Sequence, residues 1–381
     1  MARKKTMQPK QEATIQPPHP NQHIIAPALS QDKKGYLPIL HGKATDAFAK
    51  MAGKQATENA ITKAGTITDG EVKLVIEGFN ELSGTLGVST HKLLSKAVAE
   101  FTNLNHTGTG NDREVRQTEV NIPLREYALK CGYDVLEHTK ETDEEQTKEA
   151  KRAENALKEA RKKINRDLAI LFSSSISWRE KVKGKQADFM DIRLIESKGI
   201  RNGYIKITFS QSLANYLILL PLGQYAEALL GVDERNINAY TMGLKMTEHF
   251  NNDNNQKKNT AQTLKVKTLL NYTSLPTIET IKKQRASWEA RIKEPFEKAL
   301  DALETCGLLQ EWYYCHSKGE ALTDKELYKM NYSEWEDMLV HFILKDAPDH
   351  TARLQAREEE KIARLQTKKR STASKKKAVK S

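Results

Sequence analysis

Apolar positions in this chain switch between two periods, and the switches lay out its elements. In EVKLVIEGFNEL, Val72, Val75, Ile76, Phe79 and Leu82 fall at helical spacing. Ser89-Thr90 supplies an N-cap for a further helix through HKLLSKAVAEFTNL. Beyond the polar stretch NHTGTGNDREVRQ, Glu119 to Ile122 reads as a short strand. A helix follows with Pro123 in its first turn and a stop near Gly132. A longer helix is predicted from about Asp143 to Phe172. Met190, Ile192 and Leu194 then alternate with Asp191 and Arg193, and Ile205, Ile207 and Phe209 alternate with Lys206 and Thr208, so both runs read as strands. ESKGIRNG lies between them and carries the Asn202-Gly203 turn signal.

The same order recurs further on. Ser210 to Asp233 bridges to a second pass, in which Ile237 to Phe250 reads as a helix and NNDNNQKKN as a turn or loop. Thr263 to Tyr272 is expected to be a short helix, and Trp288 to Glu304 a long one with Gly307 at its C′ position. Pro295 should kink or restart that long helix. LLQEWYY follows as a strand. Tyr36 to about Thr68 has only weak helical character, and residues 1 to about 35, rich in Pro, Gln and Lys, read as disordered.

Strand, helix, helix, hairpin is the order of a winged helix. The expected fold class is therefore α+β, mostly helical, with two tandem winged-helix domains at 69–212 and 213–346. A disordered or weakly ordered region, 1–68, precedes them, and a basic tail, 347–381, follows.

Charge sharpens this picture. The 381 residues carry 61 Lys and Arg against 50 Asp and Glu, a formal net charge of +11. That balance points to a phosphate-rich polymer as partner. Part of the excess sits in the tail, where Lys361 to Ser381 holds nine Lys or Arg and no acid. The rest clusters within helical sequence. At about 100° per residue, Leu157, Ala160, Ile164, Leu168 and Leu171 share one narrow sector of the first long helix. Lys148, Lys151, Arg152, Lys162, Lys163 and Arg166 lie within about 60° of the opposite direction. Lysine and arginine facing duplex phosphates gain affinity by releasing counterions, and arginine also reads guanine edges. Glu154–Lys158 and Glu159–Lys163 are i,i+4 pairs, which draws Lys158 and Lys163 away from that role. WREKVKGKQ adds Arg179, Lys181, Lys183 and Lys185 in a glycine-containing segment suited to phosphate contact.

In the second pass Lys282, Lys283, Arg285, Arg291 and Lys293 are opposed only by Glu289 between 281 and 293. A helix N-terminus there would also favour phosphate. Trp288, Ile292, Phe296, Ala299 and Leu303 form an apolar stripe, which makes Trp288 a core residue and not a base-stacking one. The DNA contacts expected are thus Lys148, Lys151, Arg152, Lys162, Arg166, Arg179, Lys181 and Lys183 in the first unit. Lys282, Lys283, Arg285 and Arg291 are the corresponding set in the second.

Other chemistry lacks its motifs. There is no GxxxxGK[ST], HExxH or GxSxG, and no H-x-H pair to hold a metal beside a tyrosine. Tyr127 and Tyr133 are expected to pack. Cys131, Cys306 and Cys315 have neither metal-ligand nor disulfide-framework spacing, which fits a reducing cytoplasm. The most apolar window, Leu213 to Leu230, is broken by Asn215, Pro221, Gln224 and Glu227, so no membrane span is expected. The expectation is a cytoplasmic protein that is not an enzyme and uses no cofactor or metal.

NIPLREYALKCGYD before a long basic helix, the 189–209 hairpin, and the second pass INAYTMGLKMTEHF…TLKVKTLLNYT…WEARIKEPFEKALDALETCGLLQEW together resemble a known family. It is that of the two-winged-helix replication initiator proteins of plasmids and mobile elements. The similarity runs over roughly 69–316 and is one of element order with a few residue matches. It implies binding to direct repeats of double-stranded DNA at an origin, recruitment of the host initiator and helicase, and self-repression by a homodimer. The same elements would also serve a winged-helix transcriptional repressor, or a protein that binds DNA without sequence preference through its basic tail.

Overall fold

A computed structural model describes residues 35–40, 47–48, 51, 66–69, 71–77, 86–105, 115–135, 144–182, 185–220, 222–316 and 319–347. The N-terminal and C-terminal stretches expected to be disordered, and Lys183, lie outside the described residues. In the stretch where weak helical character was expected, Ala47, Phe48 and Met51 are helical, while its two ends form strands β1 (Tyr36–Leu40) and β2 (Thr66–Asp69). The helix expected from Val72 is also a strand at its start, β3 (Val72–Ile76). Val72, Leu74 and Ile76 are buried and Lys73 is exposed, so period two wins over the i,i+3 coincidences.

α1 (Val88–Asn105) begins one residue before the expected cap, and nearly all of its residues are buried. Ser89 and Thr90 do not cap it; their hydroxyls donate to Asp167. β4 (Glu119–Pro123) leads directly into α2 (Leu124–Lys130), which Gly132 closes at φ +83° with a Tyr133 N–H to Ala128 carbonyl bond. α3 (Glu144–Phe172) is the long basic helix.

The hairpin assignment needs correction. β5 (Ser174–Val182) and β6 (Lys185–Arg193) pair with each other, so Met190 to Arg193 of the alternating run belong to β6, with Leu194 just past its end, and WREKVKGKQ is largely strand. The partner of β8 (Tyr204–Phe209) is β7 (Ile195–Arg201), the stretch read as a turn. Asn202 and Gly203 both take positive φ, 52° and 77°, as a two-residue type I′ turn requires. Such a turn pairs the residues that flank it immediately, which forces 195–201 into a strand.

The bridge to the second pass is structured as well. α4 (Gln211–Leu217) is capped by Ser210, and β9 (Leu222–Ala226) pairs antiparallel with β1 before a 3-10 turn, Glu227–Gly231. α5 (Ile237–Asn251) follows, with the Asn236 side chain accepting from the Ala239 N–H at its start. Gly243 on α5 lets the Leu229, Leu303 and Leu308 side chains close over the helix. α6 (Asp253–Lys257) occupies the stretch expected to be a loop, and the expected helix from Thr263 splits into β10 (Thr263–Lys265) and α7 (Val266–Leu270).

The basic stretch before Trp288 forms a helix of its own. α8 (Ile278–Gln284) ends at Arg285, which adopts a left-handed conformation at φ 53°. A π-helical turn, Glu289–Lys293, then runs into α9 (Glu294–Thr305), with Pro295 in its first turn. Pro295 has no N–H for the Arg291 carbonyl, and the helix widens before it, as a restart at that proline predicts. Gly307, at φ +79°, closes α9 as expected. β11 (Leu309–Cys315), α10 (Asp324–Lys329), α11 (Tyr332–Glu336) and β12 (Leu339–Leu344) complete the described chain.

These elements make a mixed α and β structure. Two three-stranded antiparallel sheets share one order, β4–β8–β7 and β10–β12–β11, and a four-stranded sheet runs β2–β3–β5–β6. Buried side chains from Ile39 to Leu344 form one continuous apolar cluster, so both halves share a core.

Candidate nucleic-acid interface

α3 separates its faces much as its periodicity predicts. Ala153, Ala160, Ile164, Leu168 and Leu171 are buried, while Lys148, Lys151, Arg152, Lys158, Arg161 and Lys162 are exposed. Its 29 residues make a rod about 43 Å long. Lys148, Lys151 and Arg152 have no ion-pair partner among the described residues. Lys162 is bound to Glu159 at 2.7 Å. Both partners are about two-thirds exposed, so that pair holds Lys162 weakly.

Two expected side chains sit differently. Lys163 pairs with Glu234 at 2.9 Å and lies over the Tyr133 ring, so the expected Glu159–Lys163 bridge is replaced by a tie to the second half of the chain. Arg166 points at α1 and not away from the core. Its Nη2 reaches the Ser89 hydroxyl at 3.3 Å and the Asp167 carboxylate at 3.5 Å. Packing of α1 across this side of α3 is what turns Arg166 inward. Asp167 itself is buried, and burial pushes its carboxyl up to about 6 although Thr90, Arg166 and Ser89 work against that rise.

Arg179 projects from β5 and pairs across the hairpin with Asp188 at 3.3 Å. Lys181 lies on the same strand. In the second unit Lys282 and Lys283 occupy the exposed last turn of α8, Arg285 follows in its left-handed cap, and Arg291 is exposed on the π turn. The basic cluster expected on one helix N-terminus is therefore divided between the end of α8 and the turn before α9. Trp288 is half-buried against Tyr332 and Trp335, with ring centroids 5.6 and 5.5 Å away, which bears out its core role. Tyr127 is buried and Tyr133 half-buried, as packing residues would be.

The β7–β8 hairpin contributes residues that the charge pattern alone does not single out. Arg201 and Tyr204 are exposed on either side of the Asn202-Gly203 tip, while Lys198, further back on β7, lays its ammonium 5.2 Å from the Phe172 ring centroid. The signal was available: an NG turn fixes its flanks as strand ends, and two of those flanking residues are basic or aromatic. Among the described residues no His, Cys, Asp or Glu group is arranged to hold a metal ion, and no helix is long and apolar enough to cross a membrane. No protein-family model matches this chain, and no curated protein sequence matches it either.

Proposed function

We propose that the chain is a DNA-binding replication initiator of a plasmid or mobile element, built on two winged helices. The carrying observation is the repeated architecture. α1, β4, α2, α3, β7 and β8 are matched in order by α5, β10, α7, α9, β11 and β12, and both sheets place the last strand in the middle. In that reading β5–β6 is an insertion between α3 and β7, α6 and α8 are insertions after α5 and before α9, and α10 and α11 separate β11 from β12 where the first unit has a two-residue turn. α3 and the β7–β8 tip supply the stronger contact, through Lys148, Lys151, Arg152 and Lys162 on the helix and Arg201 on the hairpin. Lys282, Lys283, Arg285 and Arg291 supply the second. Arg166 acts indirectly, by holding α1 against α3.

Two such units on a shared core suit an extended double-stranded site, and direct repeats at an origin would be occupied by successive copies. Host initiator and helicase would then be recruited to the loaded DNA, with a homodimer repressing its own gene. Footprinting of the purified protein on the DNA flanking its gene tests the reading, together with replication of a plasmid carrying only that gene and its flank. Protection of repeated sites and autonomous replication are expected. Protection without replication would make the protein a transcriptional regulator, and absence of any protected site would refute sequence-specific binding.

A further inference from the structure

A buried polar cluster at the start of α1 is unrelated to any surface contact. Lys92 is only 1 % exposed, yet its ammonium donates to the carbonyls of Leu230, at 2.8 Å, and Val232. It also stands 5.9 Å from the Tyr240 ring centroid. His91 Nδ1 lies 2.6 Å from the Tyr240 hydroxyl, which is itself 3.2 Å from the Tyr225 hydroxyl. One turn further on, Lys96 bonds Glu100 at 2.9 Å and reaches Glu227 at 3.8 Å.

All three basic side chains belong to the helix that opens the first unit. Besides Glu100 and, for His91, the Ser95 hydroxyl and the Phe48 ring, the partners named above lie between residues 227 and 240, the segment that leads into and begins the second unit. His91 and Tyr240 are each the fourth residue of their helices, α1 and α5. The two opening helices therefore meet through equivalent positions.

A buried ammonium is costly unless it is fully hydrogen-bonded, and an apolar side chain of similar length would fill this space without that cost. What the ammonium adds is direction. Its two carbonyl acceptors at the end of the 3-10 turn can be met in only one relative placement of α1 and that turn. We infer that Lys92 is a positioning residue that locks the two units in one orientation and thereby fixes the spacing and helical phase of the two half-sites accepted on DNA. The half-site part of this inference rests on the DNA-binding reading above; the locking part does not.

The test uses the full chain with Lys92→Met, which keeps the length and removes the charge, and Lys92→Arg, which restores a cation. Calorimetry of the unaltered protein should give one unfolding transition, Lys92→Met two separated ones, and Lys92→Arg one again. On the footprinted duplex, inserting about 5 bp between the protected half-sites turns them by half a helical turn. The unaltered protein should lose at least tenfold in affinity, while Lys92→Met loses less than threefold and binds each isolated half-site normally. If Lys92→Met does not fold, Tyr240→Phe, which removes one hydroxyl of the same joint, is measured in its place. A single transition in the variant overturns the lock whatever the DNA result. Two transitions with the full insertion penalty overturn the half-site claim alone, and an unaltered protein that protects no DNA removes the DNA reading and that claim with it, while the lock still stands or falls on the calorimetry.

Discussion

Asp167→Asn should gain stability relative to the unaltered protein as pH rises from 4 to 7. Asp167 is 3 % exposed, and its Oδ1 accepts from the Ser89 hydroxyl at 3.0 Å and the Thr90 hydroxyl at 2.9 Å. Burial dominates its titration and lifts the carboxyl from 3.8 to about 6, with Glu234 adding to the rise and Thr90, Arg166 and Ser89 opposing it. Between those values the folded protein keeps the proton and the unfolded chain releases it. The contribution to stability is full below the unfolded value and is lost as pH rises toward the folded one. A rise of that size corresponds to about 3 kcal/mol. Asparagine keeps an acceptor for Ser89 and Thr90 and never ionises, so it escapes this loss. Urea denaturation followed by tryptophan fluorescence at pH 4 and pH 7 gives both stabilities. The variant-minus-parent difference should rise by about 2 kcal/mol across the interval, since pH 4 already lies above the unfolded value and part of the contribution is lost there. A difference constant to within about 0.5 kcal/mol, or one that falls, would refute the account of this buried carboxyl.

Gly243→Ala should destabilise the protein by about 1–2 kcal/mol in the same assay. A Cβ there would come within 2.6 to 2.9 Å of Leu229, Leu303 and Leu308 methyls, and this overpacking exceeds the helix-propensity gain of about 1 kcal/mol. Replacing Lys148, Lys151 and Arg152 together with Gln should lower the slope of log affinity against log salt by about 0.9 for each phosphate left without a cation, without changing the melting temperature. Arg201→Ala with Tyr204→Ala should weaken binding to the specific duplex in a fluorescence-anisotropy titration by about 1–3 kcal/mol while leaving the far-ultraviolet circular dichroism unchanged.

Elements were legible where one local signal dominated. The Asn202-Gly203 turn, the Pro295 restart and the Gly307 stop were all readable because each rests on a backbone property of one or two residues. β7 was not, since IESKGIR has no clear period and lies at a sheet edge, where burial alternates poorly. β3 was misread because Val72 and Ile76, four apart, satisfy both periods, and Val75 adds an i,i+3 coincidence over so short a run. The charged face of α3 was legible in outline, but the fate of Arg166 depends on where α1 packs, which no helical projection contains. Lys92 and Lys96 were hidden for a related reason. On HKLLSKAVAEF they look like the polar side of an amphipathic helix, yet α1 is enclosed on nearly every side. Only the meeting of residues more than 130 apart gives Lys92 its role.

Sequence-specific recognition of duplex DNA is the claim on which the rest depends, and an equilibrium comparison tests it most directly. Affinity for the DNA flanking the gene and for a scrambled duplex of equal length and composition should be measured at one physiological salt concentration. The account predicts a preference of at least about 10³-fold for the natural sequence. Equal affinities would contradict it and leave only a basic protein that binds phosphate without reading bases.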